Sequence, residues 1–262
     1  LSTCKSPQQM FGAIMKTYYA KKIGVDPKDL AVVTVMPCIA KKFELTRDDE
    51  SAAGVPDIDA SITTRELARM IKNFGIDFKS LDPKTQFDDP IGKGSSAGLI
   101  FGATGGVMEA ALRTVAETVT GEKLDNIDFK AVRGTKGIKE ATLTLGGKQI
   151  NICVASGLGN ARKIMDDIKA GKSKYHFIEI MACPGGCVNG GGQPIVDSKT
   201  RNLVDVAKTR AKVLYKKDKK DVLRKSHENP VVKTLYGEYF EKPNSHVAHE
   251  TLHTSYVARK KY

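Results

Sequence analysis

The chain has no run of apolar residues long enough to cross a bilayer, and its start lacks the basic, apolar and small-residue succession of a secretory signal. Both absences predict a water-soluble protein with no membrane span. Cysteine is scarce: five residues in 262, an odd number, exclude a disulfide framework and fit reduced thiols in a cytosolic or anaerobic compartment. Zinc-finger spacing and the aromatic strand motif of RNA-binding domains are missing, so the net charge of +12 has no nucleic-acid signature beside it. Nine Lys/Arg fall between Lys208 and Lys225. They have two readings, a surface for an anionic partner or the solvated face of a helix. The length suffices for one large domain or two smaller ones. Leu1 leads directly into helix-forming sequence, and the expectation is a longer polypeptide with something upstream.

What is abundant locally is glycine around cysteine. In Glu179-Ile-Met-Ala-Cys183-Pro-Gly-Gly-Cys187-Val-Asn-Gly-Gly-Gly-Gln193-Pro194, two thiols three residues apart sit among glycines. Glycine allows close backbone approach and turns N–H groups toward an anion, while thiolates ligate iron. Iron-sulfur ligation and a tight glycine turn with two buried cysteines are the two readings of this loop.

In chain order, Ser6-Pro7 opens a helix to about Lys22, with Ser6 as N-cap and Gly24 as the stop. Met10, Phe11, Ile14, Met15 and Tyr18 give it a packing stripe. Leu30–Val35 reads as a buried parallel strand, and it delivers Cys38 and Lys41 at its carboxyl end, where α/β sheets place ligands. Ile58–Ile62 reads as a strand, and Thr63-Thr64-Arg65-Glu66 as a capping box opening a helix to about Phe74. Residues 77–93 read as loop. Gly94–Gly106 is a glycine-rich turn before a helix from Val107 to about Thr118, matching no nucleotide loop. A hairpin turns at Gly146-Gly147, with Cys153 opposite its apolar face in a structural role. Asn160 is expected to cap a helix to about Lys169, and Tyr175–Met181 to form the strand that delivers the cysteine loop. Leu203, Val206, Ala207, Ala211 and Leu214 mark an amphipathic helix with a basic far side, and Asn229-Pro230 starts a short helix to about Phe240. His246, His249 and His253 share one helical face, a spacing for metal binding or for packing.

Met36-Pro37-Cys38-x-x-Lys41-x-x-Glu44 and the Glu179–Pro194 stretch resemble the second and third signature motifs of the FeFe hydrogenases. Ser2-Thr-Cys-Lys-Ser-Pro7-Gln8-Gln9 and Phe101-Gly102-Ala-Thr-Gly-Gly are similar to further family segments in the same order, and the likeness runs the length of the chain. The family's first motif, Thr-Ser-Cys-Cys-Pro-x-Trp, is absent, and the chain holds no tryptophan.

The resemblance implies an α/β fold, with parallel and mixed sheets flanked by helices in two lobes, the metal site in the cleft, and a helical C-terminal belt. Residues 1–200 would be the catalytic H-cluster domain, lacking its N-terminal part, and 201–262 a small-subunit-like tail. The cofactor implied is an H-cluster: a 4Fe-4S cubane joined to a di-iron subcluster with CO, cyanide and a bridging dithiolate. Cys38, Cys183 and Cys187 would be its metal ligands. Lys41 would donate to a cyanide, Ser2 would serve the proton relay, and Pro7, Gln8, Met36, Phe101, Gly102 and Met181 would line the pocket. The reaction implied is reversible proton reduction to H2. Ferredoxin or another acidic carrier, maturation proteins, and an upstream segment or subunit giving the fourth cubane ligand are the implied partners. The cytoplasm of an anaerobe is the expected location, with hydrogenosome or periplasm as alternatives. Two relatives compete: an iron-sulfur protein of cytosolic cluster assembly, and a sensory hydrogenase-like protein.

Overall fold

In the computed structural model, which describes residues 1–258, Pro7 occupies the first turn of α1 (Pro7–Ile14), where its missing N–H costs nothing. A five-residue π turn, Met15–Tyr19, continues α1 into α2 (Ala20–Ile23), which stops at Gly24. Ser6 stands at the N-cap as read, but its hydroxyl makes no capping bond and donates instead to Glu44 Oε2 at 2.7 Å. Lys16 is buried, its Nζ donating to the carbonyls of Pro27 and Leu30 and pairing with Asp59 at 2.9 Å. Those bonds fix the helix to the start of β1 (Val33–Met36).

After β1 come α3 (Ala40–Glu44), β2 (Ala60–Thr63) and α4 (Thr64–Asn73). β1 and β2 pair in parallel, from Val33 opposite Ala60 to Met36 opposite Thr63. The capping box holds as read: Thr63 Oγ1 accepts from Glu66 N while Glu66 Oε2 accepts from Thr63 N. The strand reading does not hold in detail. β1 starts later than expected and is not buried throughout, since Val33 is 56% and Val35 44% exposed while Thr34 turns inward to donate to Gln8 Oε1. A strand paired on one edge in a two-stranded sheet alternates its faces, so the apolar run from Leu30 did not mean burial on both sides.

The chain divides into two units: one comprises residues 1–93 and the described chain from Lys233, the other Gly94–Val232. The second unit begins with α5 (Ser96–Ile100), unforeseen in the sequence, and α6 (Gly106–Thr120). Then follow β3 (Ile138–Leu145), β4 (Lys148–Ser156), α7 (Leu158–Lys169), β5 (Phe177–Met181), α8 (Ser198–Leu203) and α9 (Val206–Lys220). The sheet order is β3-β4-β5, antiparallel then parallel, with Ser156 opposite Met181 at the carboxyl ends. Met108, Leu112, Val132, Ile152 and Val154 fill the core on one face of this sheet. The other face is covered too: Cys153, opposite the apolar face of the hairpin, is buried against Ala155 and Ile164, a core residue in keeping with its structural reading. Asn160 is not a cap either. It lies inside α7, its amide donating to Ser156 O at 2.7 Å. Leu203 ends α8 and is exposed, and Asp205 caps α9. The expected α/β class, with small parallel and mixed sheets between helices, is what the chain adopts.

The chain then forms α10 (Pro230–Leu235), a π turn (Tyr236–Phe240) and α11 (His246–Leu252). Beyond α11, Thr254 N donates to Thr3 O, and Asp49 Oδ2 accepts from the hydroxyl of Thr254 and the amide of Ser255, tying the tail to the start of the chain.

Inside the second unit, three arginines and three carboxylates form one balanced network. Arg113, with no exposed side-chain surface, donates to Glu109 and to both oxygens of Asp218, while Arg133 joins Glu109 to Asp128 and Arg224 joins Asp128 to Asp218. Burial pushes the Asp218 carboxyl up, but the bonds from Arg113, Arg224 and Ser96 outweigh it and hold the group well below the usual range. Glu117 is likewise pushed up by burial and brought down overall, to about 2, by Lys225, Leu124 N and His227. Removing one member of a buried pair strands a charge at about 3–5 kcal/mol. Arg113→Met should therefore cost about that much in urea unfolding of the metal-free protein. Depressed carboxyls stabilise above their ordinary range and lose that contribution as pH falls through the folded value. The unfolding free energy should then drop between pH 4.5 and about 2, and Glu117→Gln should flatten that slope.

Candidate metal centre

Cys38 follows β1 after Met36-Pro37, half-buried, and α3 begins two residues later. Lys41 lies on the first turn of α3, its Nζ pinned between the Glu44 oxygens at 2.9 and 3.0 Å. Glu44 is held in turn by Ser6 Oγ and by Gln8 Nε2 at 2.9 Å. Gln8, buried, also reaches Lys41 O and takes the Thr34 hydroxyl, so it joins α1, β1 and α3 through one amide. The structure thus brings Gln8, Lys41 and Glu44 together beside Cys38. Met36 is half-buried next to them in sequence, and Pro7 is exposed at the start of α1. Ser2 is exposed. Its Oγ accepts from Cys4 N and its carbonyl from Tyr256 Oη at 3.0 Å, and no bond from Ser2 to Gln8 or Lys41 is found among the described residues.

In the second unit, β5 ends at Met181 and the cysteine loop folds as successive turns: Gly186 N donates to Cys183 O and Gly190 N to Cys187 O, both at 2.9 Å. Both thiols are half-buried. Buried Ser156, at the end of β4, anchors the loop, accepting from Gly185 N at 2.9 Å and facing Cys183 O at 3.5 Å. The turn Phe101–Gly106 docks on the loop by backbone alone: Thr104 N donates to Gly185 O at 3.2 Å and Val188 N to Gly102 O at 2.9 Å. That approach requires glycine at 186, where φ is +99° and a Cβ would lie 2.6 Å from Thr104 N. Phe101, Gly102, Met181, Cys183 and Cys187 are accordingly gathered in this unit.

Sequence reasoning missed the residues that hold these loops. Glu179, in the motif but without an assigned role, accepts from Gly105 N and Met108 N at 2.7 Å each, capping α6 with a carboxylate. Burial pushes its pKa up against those amides. Lys139, buried on β3, donates to Thr104 O and Gly134 O at 2.9 Å, and burial lowers it to about 8 although Glu179 opposes the shift. Arg210 donates to Val188 O and Pro194 O, so it is no solvated member of the basic run. Arg224 and Lys225 are bound to carboxylates too, whereas Lys208, Lys212, Lys216, Lys217, Lys219 and Lys220 are exposed. Motif glycines signalled the loops; nothing in sequence spacing signalled the side chains behind them.

The histidine trio does not assemble as one cluster. His246 is exposed near Glu250, while His249 and His253 stack with ring centroids 4.4 Å apart, and His253 is bonded to Thr3. Among the described residues, the His/Cys/Asp/Glu group of metal-binding size is Glu117, His227 and Glu228, where the Lys225 ammonium already sits on both carboxylates.

Thiol-bearing loops lie at the carboxyl ends of parallel strands in an α/β protein, one with a pinned ammonium beside it, a donor set of the kind that could hold iron. The chain belongs to the iron-only hydrogenase family: residues 1–191 match the model of the C-terminal domain of the iron-only hydrogenase large subunit, and residues 204–259 that of the iron hydrogenase small subunit. It is 51% identical to the NADP-reducing hydrogenase subunit HndD of Solidesulfovibrio fructosivorans over 99% of this chain and 43% of the relative. It is 32% identical to the cytosolic Fe-S cluster assembly factor narfl of Xenopus tropicalis, over 100% of this chain and 54% of the relative. An apo FeFe-hydrogenase structure from Chlamydomonas reinhardtii superposes with a TM-score of 0.81 at 42% identity, covering 98% of this chain and 70% of that one. The chain spans less than half the length of the hydrogenase relative it matches. No helix of the described residues is long and apolar enough to cross a membrane.

Gly186→Ala should test the backbone docking. Its Cβ must displace Thr104 N and the Gly102 carbonyl, 2.8 Å away, at a cost of about 1–3 kcal/mol for the left-handed residue alone. The expected readout is a lower urea midpoint and faster labelling of Cys183 and Cys187 by a thiol reagent, with Cys38 labelling unchanged.

Proposed function

We propose that this chain is the cofactor-holding part of an FeFe hydrogenase that reduces protons reversibly to H2, with ferredoxin or a similar acidic carrier as electron partner. The observation that carries this reading is the Gln8–Glu44–Lys41 constellation beside Cys38, because a 4Fe-4S cluster alone needs thiolates and no oriented ammonium. The donor set fits the group. Three half-buried thiols lie in turns after β1 and β5, and an ammonium with a carboxylate behind it suits an anionic cyanide. When bound, the di-iron subcluster with its CO, cyanide and bridging dithiolate supplies the open iron position at which protons and electrons combine.

The chain's own residues do the rest. Cys38, Cys183 and Cys187 hold the cubane, and the fourth ligand is assigned to the segment or subunit bearing the family's first motif, since Cys153 is buried in the core and Cys4 lies just before α1 in the Ser2–Gln9 segment that the family uses as pocket wall. Lys41 Nζ donates to cyanide while Glu44 and Gln8 fix its side chain. Met36, Met181 and Phe101 exclude water, Pro7 and Gly102 shape the pocket wall, and Ser2 Oγ passes a proton. Residues 1–200 form the catalytic part and 201–262 the small-subunit-like tail. We assign the protein to the cytoplasm of an anaerobe, with maturation proteins assembling the cofactor.

A second reading is cluster assembly without the di-iron unit, favoured by 32% identity to an assembly factor along the whole chain. The two separate on one measurement: the chain, joined to a first-motif segment and co-expressed with the maturation machinery, should show infrared bands of bound CO and cyanide and evolve H2. A cubane with neither band would establish the assembly reading. Lys41→Ala should retain cubane iron and lose about 10- to 150-fold in turnover, the worth of a charge-assisted donor of about 1.5–3 kcal/mol. Charge reversal at Lys216 and Lys217, both exposed, should slow reduction by ferredoxin in a salt-dependent way and leave turnover with a small dye unchanged. Equal responses in both assays would assign those lysines no docking role.

A further inference from the structure

One peptide unit in the second unit is held at both ends by opposite buried charges. The carbonyl of the Thr104–Gly105 peptide accepts from Lys139 Nζ at 2.9 Å, and its N–H donates to Glu179 Oε1 at 2.7 Å. Both residues are 6% exposed, and neither has a salt-bridge partner within 4 Å among the described residues, so each spends its charge chiefly on backbone. The Gly105 backbone sits at φ +91°, where a Cβ would fall 1.8 Å from Val132 O, so the turn is also walled in from behind. The amide just before the clamped peptide, Thr104 N, is the one that donates to Gly185 O of the cysteine loop. Rotating the clamped peptide would break both charge-assisted bonds, and losing them frees the turn that carries that amide.

We propose that Lys139 and Glu179 are a pair of positioning residues: by fixing the orientation of the Thr104–Gly105 peptide they set the register in which the Phe101–Gly106 turn docks on the Cys183–Cys187 loop. Ordinary burial of two polar groups does not account for the arrangement. A buried lysine satisfied by two carbonyls and, at 3.5 Å, the Thr104 hydroxyl is a costly way to stabilise a strand, whereas a cation and an anion on the two ends of one peptide dictate its direction. The pair bears on the cysteine loop through Thr104 and Gly185. The docking part is independent of the hydrogenase reading, and only the cofactor readout below rests on it.

The first measurement uses the iron-free chain. Amide hydrogen exchange at Thr104 and Val188, the two docking donors, should accelerate at least about 10-fold in Lys139→Met and in Glu179→Gln, with α7 amides unchanged. Glu179→Gln keeps the side-chain volume and one acceptor, so it carries the test should Lys139→Met fail to fold. The second measurement uses the matured longer chain. At equal iron content, the variants should shift or broaden the CO and cyanide infrared bands, because the cluster ligands are held in an altered register. A pair that only stabilises the fold would lower iron content and leave the bands of the remaining fraction in place. Unchanged exchange at both amides in the two variants overturns the proposal, whatever the cofactor proves to be. Accelerated exchange with no CO or cyanide band in the parent chain retains the clamp and removes the hydrogenase reading instead.

Discussion

Backbone docked on backbone is the constraint on which the second unit depends. The cysteine loop has few side chains of its own to hold it: between Cys183 and Cys187 lie one proline and two glycines. Its position comes from Thr104 N on Gly185 O, Val188 N on Gly102 O, and Ser156 Oγ under Gly185 N. At Gly102, Gly185 and Gly186 a Cβ would fall within 2.8 Å of a neighbouring atom, and this is why the glycines of two distant stretches must coincide in space. Sheet register makes the coincidence possible, since Ser156 opposite Met181 brings the end of β4 beside the start of the loop.

The first unit solves the same problem by different means. There the thiol-bearing turn after β1 is fixed by side chains, with the Gln8 amide bonded to Thr34, Lys41 O and Glu44 at once. Every hydrogen-bonding atom of that amide head is thus engaged, and a buried amide so satisfied is rigid. Rigidity matters because a flexible lysine loses rotamer freedom when it is oriented, and Glu44 has already imposed that loss before any ligand arrives.

How much of this could be read from residues follows from what each feature requires. The cysteine loops were legible because metal ligation demands particular residue types at short spacing, and the capping box at Thr63–Glu66 because it closes within one turn. β1 was misjudged because an apolar run reports composition and not the number of neighbouring strands, and Asn160 because capping preference says nothing once a glycine at 157 starts the helix. The clamps were illegible for another reason. Lys139 and Thr104 are 35 residues apart, Arg113 and Asp218 are 105 apart, and no local pattern links either pair. Part of the basic run illustrates the same limit from the other side: Arg210, Arg224 and Lys225 look like solvated charge in sequence and prove to be bonded in structure.

The distinction between hydrogen chemistry and cluster assembly is therefore carried by polar side chains rather than by thiols. Any 4Fe-4S protein needs cysteines in glycine-rich turns, so those loops alone do not discriminate. An ammonium held by a carboxylate, held by an amide, held by a strand hydroxyl, is a directional device, and ligating the irons of a cuboidal cluster does not call for one. An anionic diatomic ligand does, since it accepts along one axis and gains from a donor whose angle is set in advance. The chain Thr34–Gln8–Glu44–Lys41 is built in that order from the strand outward, each member fixing the next. Lys41 is also the more exposed side chain of the Lys41–Glu44 pair, 26% against 16%, so the series runs from a buried strand hydroxyl to a partly exposed lysine.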